Sequence, residues 1–455
     1  MRWQQIARVV IGAQFGDEGK GRVTDHYAAE VGHDGIVIRF NGGAQAGHTV
    51  VTPDGLRHVF SHVGSGSFVG AATFLSRFFV SNPILFLKEM ETLATKGVKP
   101  AIHVDPRSPV TTPYDMMINQ IVERERGGDR HGSCGIGFGE TIERNLTPAY
   151  ALTVGDLVDR SALAAKLDAI RRDYAPARLA RLGFAAAFAR NADLFRSDAI
   201  LEHFVEDADR FLQAATVADA RTATHGRHLL FEGAQGLLLD QDRGFFPHVT
   251  RSNTGLRNVL ALAEELGLTR LEVTYATRAY LTRHGAGPLP RELPEKPYPG
   301  AIDTTNIPNA HQGTLRFAWL DLDLLRHAIA EDLADAARLS GLAIRTRLAV
   351  TCLDQVGDEP VTYYRNGVRH RERLEPCVAA VADAVDIRDV LLGFGAARGS
   401  IQALTTARHA TLGVDSGDSL DPNAGTNARP RLPMRSYNFT IRASRLVEDR
   451  CHPSP

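Results

Sequence analysis

The chain has 455 residues, 44% hydrophobic and 23% charged, with a formal net charge of −1. That is ample for a large buried core, and so balanced a charge argues against a nucleic-acid or membrane partner held by a global basic field. Cys134, Cys352, Cys377 and Cys451 show no paired Cys-x-x-Cys spacing, no apolar run reaches transmembrane length, and Met1–Gln5 carries no apolar leader, so the expected setting is cytoplasmic and reducing.

Ile6–Ile11 (IARVVI) is a short β-branched run ending in glycine, the pattern of a buried parallel strand. The glycine-rich stretch GAQFGDEGKGR follows, then a helical pattern to about Val31. Gly35–Phe40 reads as a second strand and leads into another glycine-rich loop, NGGAQAGHTV. Strand, loop, helix, strand opens a doubly wound fold. The predicted class is α/β, with a large, mostly parallel sheet, flanking helices and helical excursions. Ile84–Ala94 is expected to be helical, Arg124–Glu143 a mobile loop, and Ser161–Ala220 an all-helical excursion. Strand signals return at His228–Phe231, Arg270–Tyr275 and Leu348–Leu353, with a proline-punctuated loop at Pro288–Pro308. With no internal repeat or low-complexity linker, residues 1–455 read as one interwoven α/β domain, with soft subdomains at 100–225 and 285–320.

Two loops carry chemistry. In Gly12–Gly21 (GAQFGDEGKG), glycines between a strand and a helix turn backbone N–H groups toward an anion, and Lys20 can reach a phosphate. It is not a Walker A sequence, because no Ser or Thr follows the lysine. The acidic pair Asp17-Glu18 is out of place in a phosphate loop unless a carboxylate has its own task; the plainer alternative is a turn with solvated charges. In Asn41–Thr49, His48 can donate to a developing oxyanion or be a structural histidine.

QFGDEGKG followed about twenty residues later by NGG-x-x-AGHT resembles the adenylosuccinate synthetase signature. Glu232-Gly233-Ala234-Gln235-Gly236, Phe246–Thr254 (FPHVTRSNT), Gly285-Ala286-Gly287-Pro288 and Trp319-Leu320-Asp321 follow in the family's order. The resemblance covers nearly the whole chain. It implies that Asp17 takes the N1 proton of a 6-oxopurine nucleotide, so that O6 attacks the γ-phosphate of GTP. His48 stabilises the charge, Lys20 holds phosphate, and an amine (aspartate in the family) then displaces phosphate at C6. It further implies Mg²⁺ against Asp17 and the Gly47 carbonyl, and a homodimer. The triphosphate falls to Gly16, Asp17, Glu18, Gly19, Lys20, Gly21, Gly47, His48, Thr49 and Asp354. The purine monophosphate falls to Gln45, Ala46, Ser133, Cys134, Gln235 and Thr250, and the amine to Thr304, Thr305 and Arg316 in the 285–320 loop region.

The departures from the family pattern cluster at substrate-reading positions. Gln45 replaces an asparagine, Gly132-Ser133-Cys134-Gly135 a Gly-Thr-Thr-Gly loop, and Cys352-Leu353-Asp354 the guanine-reading Lys-Leu-Asp. Thr405-Thr406-Ala407-Arg408 stands for the base loop Ser-Thr-Gly-Pro, and Arg144 is the nearest candidate for the arginine that crosses the dimer. Before Trp319, Gly313 and Leu315 occupy positions of two family arginines, leaving Arg316. The readings are a ligase acting on IMP or a GMP- or dGMP-like nucleotide with aspartate or another amine, an ordinary adenylosuccinate synthetase, and an inactive nucleotide-binding regulator. Intact Asp17, Lys20 and His48 argue against the last.

Overall fold

The computed structural model describes residues 6–129, 132–302, 314–337 and 341–404. Strand Ile6–Gly12 lies at the heart of the main sheet, parallel to and between His228–Glu232 and Arg270–Arg278. Its alternate side chains feed two apolar clusters: Val9 and Ile11 join Ile38, Phe231 and Val273, while Val10 joins Val37, Leu230, Ala349 and Leu391. A strand buried on both faces must be apolar at successive positions, which is why the run lacks polar alternation. The ten strands lie in the order Ile401–Leu404, Val390–Gly393, Ala343–Thr351, Arg270–Arg278, Ile6–Gly12, His228–Glu232, Gly35–Arg39, Ala72–Leu75, Ile102–Val104, Thr216–Val217. Every pairing is parallel except that of Val390–Gly393 with Ile401–Leu404.

Helix Lys20–Val31 covers one face through Val23, Tyr27 and Ala28, and helix Leu256–Leu266 the other through Leu256, Val259 and Leu262. A smaller sheet joins Tyr280–Arg283, Arg316–Asp321, Val361–Arg365 and Val368–Glu372, with Glu292–Leu293 at its side. None of the described helices is long and apolar enough to cross a membrane.

Three expectations need correction. Arg124–Glu143 is not simply a loop: helix Pro113–Arg126 enters it and helix Phe138–Asn145 leaves it. The first starts on a Thr112–Asp115 capping box with proline in its first turn, and its charged end is a solvated helical face. The excursion from Ser161 is helical through Ala214, but Thr216–Val217 returns to pair with Ile102–Val104 at the sheet edge. The third strand signal stops at Thr351, because Cys352 turns left-handed at φ 59°.

Arg144 is not a residue that reaches a partner. It is fully buried, binds Asp115 through two bonds of 2.9 Å, and donates to the carbonyls of Tyr150 and Val110. We therefore expect Arg144→Ala to destabilise the fold by about 3–5 kcal/mol, because it strands a buried carboxylate. A urea melt in which this variant matches the parent would return Arg144 to a surface role.

Candidate active site

In a parallel sheet the loops after successive strands open on one edge, and the sequence puts its glycines there. Those after Ile6–Gly12, Gly35–Arg39 and His228–Glu232 are pressed together. A Cβ on Gly12 would lie 2.7 Å from the Gln235 carbonyl, and one on Gly236 2.3 Å from that of Gln14. A Cβ on Gly21 would lie 2.9 Å from His48 Cβ, so helix Lys20–Val31 begins directly against the second loop. That loop is shorter than expected, since His48–Val51 already pairs as a strand with Arg57–Phe60.

The acidic pair divides its work. Glu18 is fully buried; its Oε1 accepts from the N–H groups of Gln14 (3.0 Å) and Gly16 (2.8 Å), and its Oε2 from Lys20 Nζ (2.7 Å). Glu18 thus takes two N–H groups that the sequence reading had turned toward a phosphate, and it is a brace of the loop. The helix starts next to it, where Gly19 is half-buried and left-handed and no side chain caps the first turn. Uncapped N–H groups at a helix start, beside Lys20 and Gly21, are groups that could hold an anion.

Asp17 remains at the surface of the loop with a side chain about 24% exposed and φ 62°. Its Oδ2 lies 3.0 Å from His284 Nε2, and its carbonyl accepts from Arg278 Nε. Burial alone would raise the carboxyl, but His284, by hydrogen bond and by charge, together with Arg278 and Lys20, outweighs it and holds the group at about 2. It is ionised at neutral pH and able to receive a proton or face a cation.

His48 is buried, and its Nδ1 lies 2.7 Å from Glu232 Oε1. Desolvation lowers its pKa. Glu232 would be raised by burial, but His48, Arg39 and Ser65 hold it at about 2. An ionised carboxylate only accepts, so the ring carries its proton on Nδ1 and turns Nε2 away from Glu232. Lys20 acts electrostatically on both Asp17 and His48, which puts the three expected catalytic residues in one field.

Beside them, Gly42 leaves space in which Gln235 Oε1 and Gln45 Nε2 stand 3.6 and 3.8 Å from where its Cβ would be. Gln235 Oε1 and both amide atoms of Gln45 are buried without a partner. Buried amides with nothing to bind point to a ligand. Ala46 is buried behind them, while Gly47 is exposed and Thr49 half-buried. Ser133 donates to Asn119 Oδ1 at 2.9 Å, and burial raises the Cys134 thiol. Their loop touches the 285–287 turn, since a Cβ on Gly132 would lie 2.8 Å from Gly285 Cα. Thr250 is half-buried, its N–H bonded to the Leu239 carbonyl at 2.8 Å, and Asp354 is exposed in the turn after Thr351.

Arg316 is occupied. It binds Glu292 through bonds of 2.7 and 2.5 Å and donates to the carbonyls of Gly285 (3.0 Å) and Gly287 (2.8 Å). For Arg316 to meet a carboxylate of the amine, its fork would have to leave Glu292. Thr304 and Thr305 lie outside the described residues, as do Gly313 and Thr405–Arg408. Sequence reasoning missed His284, Glu232 as a partner of His48, and Glu292. His284 adjoins one quoted motif and Glu232 opens another, but only the fold shows what they touch.

Fold and site together are those of a doubly wound α/β protein whose first glycine-rich loop carries its own carboxylate. The family model for adenylosuccinate synthetase matches residues 9–358. A Neisseria gonorrhoeae adenylosuccinate synthetase is 31% identical over 428 residues, 91% of each chain. One from Haloarcula marismortui is 31% identical over 389 residues, 76% of this chain and 80% of that one. The chain belongs to the adenylosuccinate synthetase family, whose members are carbon–nitrogen ligases of purine biosynthesis. Among solved structures, it superposes on the fully ligated Plasmodium falciparum adenylosuccinate synthetase with a TM-score of 0.63 at 18% identity, covering 87% of this chain and 99% of the other. A cyanophage S-2L succinoaminodeoxyadenylate synthetase (PurZ) bound to dGMP and dATP gives 0.57 at 17% identity, covering 88% and 96%.

Glu232→Gln should lower the catalytic rate more than it raises the Michaelis constants, because the ring loses the anion that fixes its tautomer. Glu232 has a depressed pKa, so it contributes stability above the usual carboxyl range. That contribution fades as pH falls from about 4.5 toward about 2. Acid melts of parent and variant should therefore converge in that window; a constant gap would separate Glu232 from the pH response.

Proposed function

We propose that this chain phosphorylates the 6-oxo group of a purine nucleoside monophosphate at the expense of GTP and then couples an amine at C6. The observation that carries the reading is the convergence of ionised Asp17, Lys20 and Glu232-bound His48 on one sheet edge, beside the unpartnered amides of Gln45 and Gln235. Asp17 takes the proton from N1. The electron density then reaches O6, which attacks the γ-phosphate. His48 meets the charge that develops on the transferring group, and Lys20 with the helix start holds phosphate.

Asp17 suits a hard cation: its carboxylate is ionised and partly exposed. Mg²⁺ takes few protein oxygens and completes its shell with phosphate and water. Asp17 and the exposed Gly47 carbonyl would hold it, and when bound it neutralises phosphate charge. A homodimer of one interwoven domain remains our expectation by resemblance.

The monophosphate is IMP or a guanine nucleotide such as GMP or dGMP. The phage neighbour, bound to dGMP and dATP, keeps the second class and an adenine donor in view. A mass-spectrometric screen of IMP, GMP and dGMP with GTP or ATP and a panel of amino acids decides between them. Asp17→Asn should abolish product while triphosphate binding persists, and His48→Ala should slow phosphoryl transfer by roughly 10²–10³. Positional isotope scrambling at the γ-phosphate that is unchanged in His48→Ala would move the histidine to a structural role.

The amine is one that needs no double guanidinium clamp. Glu292 fills the fork of Arg316, and residues 302–315 (IDTTNIPNAHQGTL) contain neither arginine nor lysine. Aspartate should accordingly bind poorly. Glu292→Gln, which frees the fork, should lower its Michaelis constant by about tenfold, the worth of one charge-assisted contact. Tight aspartate binding in the parent that also survives Arg316→Ala would overturn this view of the pocket.

A further inference from the structure

Arg22 lies in the first turn of helix Lys20–Val31 with 5% of its surface exposed. Its Nε and Nη2 are buried and have no partner. Those two atoms form the side-on edge of the guanidinium. Elsewhere in this chain the same edge grips carboxylates: Arg144 on Asp115, Arg178 on Glu140 and Arg347 on Asp389, with bonds of 2.8–3.1 Å. The vacant edge of Arg22 is thus shaped for two acceptors side by side in one plane. Arg39 has the same edge unbonded, but Glu232 stands 3.9 Å from its Nε, whereas Arg22 has no ion pair among the described residues; a buried cation left so is costly, and the vacancy points to a ligand.

The surroundings narrow the ligand. Gly393 and Gly19 make the room: a Cβ on Gly393 would lie 2.7 Å from Nη2, and one on Gly19 3.4 Å from Nη2 and 3.5 Å from Thr351 Oγ1. Strands Ala343–Thr351 and Val390–Gly393 stand second and third from Ile6–Gly12, so Arg22 Nη2 lies between the end of the phosphate loop at Gly19 and the strand end at Gly393. Cys352, Asp354 and the like-charged Arg278 are its electrostatic neighbours. The phosphates already have Lys20 and the uncapped helix start. A second acceptor pair on the same nucleotide belongs to its base. Guanine presents O6 and N7 as adjacent acceptors and N1–H and N2–H as donors, whereas adenine puts an amino group beside N7.

We infer that Arg22 reads the O6 and N7 edge of guanine on the triphosphate donor while Asp354 accepts from its N1 and N2 hydrogens. The inference rests on the proposed function in taking GTP as the donor and Asp354 as a guanine contact. Arg22 then supplies from the helix the cation that Cys352 withholds, standing where the family has lysine. It is a specificity-determining residue for the donor, separate from the phosphate-binding residues.

Equilibrium titration with GTP, 7-deaza-GTP and ATP, without monophosphate or amine, tests this in the parent, Arg22→Met and Arg22→Lys. The parent should bind GTP about tenfold or more tightly than 7-deaza-GTP, with ATP weaker than GTP. In Arg22→Met, GTP and 7-deaza-GTP should bind alike. Arg22→Lys, which keeps the charge but not the fork, should lose most of the discrimination. Equal binding of GTP and 7-deaza-GTP by the parent overturns the inference, and so does ATP binding more tightly than GTP. Equal weakening of GTP and 7-deaza-GTP by Arg22→Met, with their ratio kept, moves the contact to phosphate and overturns it too. If thermal melts show Arg22→Met unfolded, the parent's two guanine ligands and Arg22→Lys still decide. Binding is read without turnover, so failure of the ligase reading appears separately, as absent product with discrimination intact.

Discussion

Beneath the first glycine loop sits a carboxylate with no exposed surface. Glu18 gathers the N–H groups of Gln14 and Gly16 and the ammonium of Lys20. A loop rich in glycine has many conformations to lose on ordering, and a buried charge satisfied by three donors offsets that cost in one place. Because Glu18 draws the chain inward, its neighbour Asp17 is turned outward at positive φ, and the helix start is left open. The positions of Asp17, Lys20 and the helix start follow from where one side chain is anchored.

Two acid–histidine pairs then stand at the ends of the sheet's strands, with opposite polarity. In His48–Glu232 the acid is buried and orients the histidine; in Asp17–His284 the acid is partly exposed and the histidine steadies it. Both depend on the parallel sheet. Glu232 ends strand His228–Glu232, and His284 follows Tyr280–Arg283, the short strand beyond Arg270–Arg278. Arg316 and Arg283 hold the turn after His284 by its carbonyls: Arg316 those of Gly285 and Gly287, Arg283 those of Ala286 and Pro288. Side chains that could have bound substrate anions have become scaffold.

The legible parts were those where local pattern and tertiary role coincide. IARVVI declared a strand because both its faces are buried, and GDEGKG with AGHT declared chemistry because few turns tolerate such residues. Ala72–Leu75 and Val390–Gly393 were silent: four buried residues are too few to show a period. Lys20 was legible as a cation near phosphate, but that Glu18 would hold it depends on the turn at Asp17. The pairing of His48 with Glu232 spans 184 residues, and that of His284 with Asp17 spans most of the chain, so no local window contains them. Arg316 was read as free because sequence shows a charge but not its counter-charge; Glu292 reaches it only through the pairing of Glu292–Leu293 with Arg316–Asp321.

A wide sheet has two borders, and each is a row of backbone groups that another chain could join. Here one border is Thr216–Val217, only two residues long, at the foot of the helical excursion. The other, Ile401–Leu404, runs against the direction of its neighbours. Among the described residues, neither offers the long, flat, apolar edge that seeds intermolecular strand addition. The excursion therefore has a second consequence besides enlarging the core: it ends the sheet on a strand too short to template aggregation.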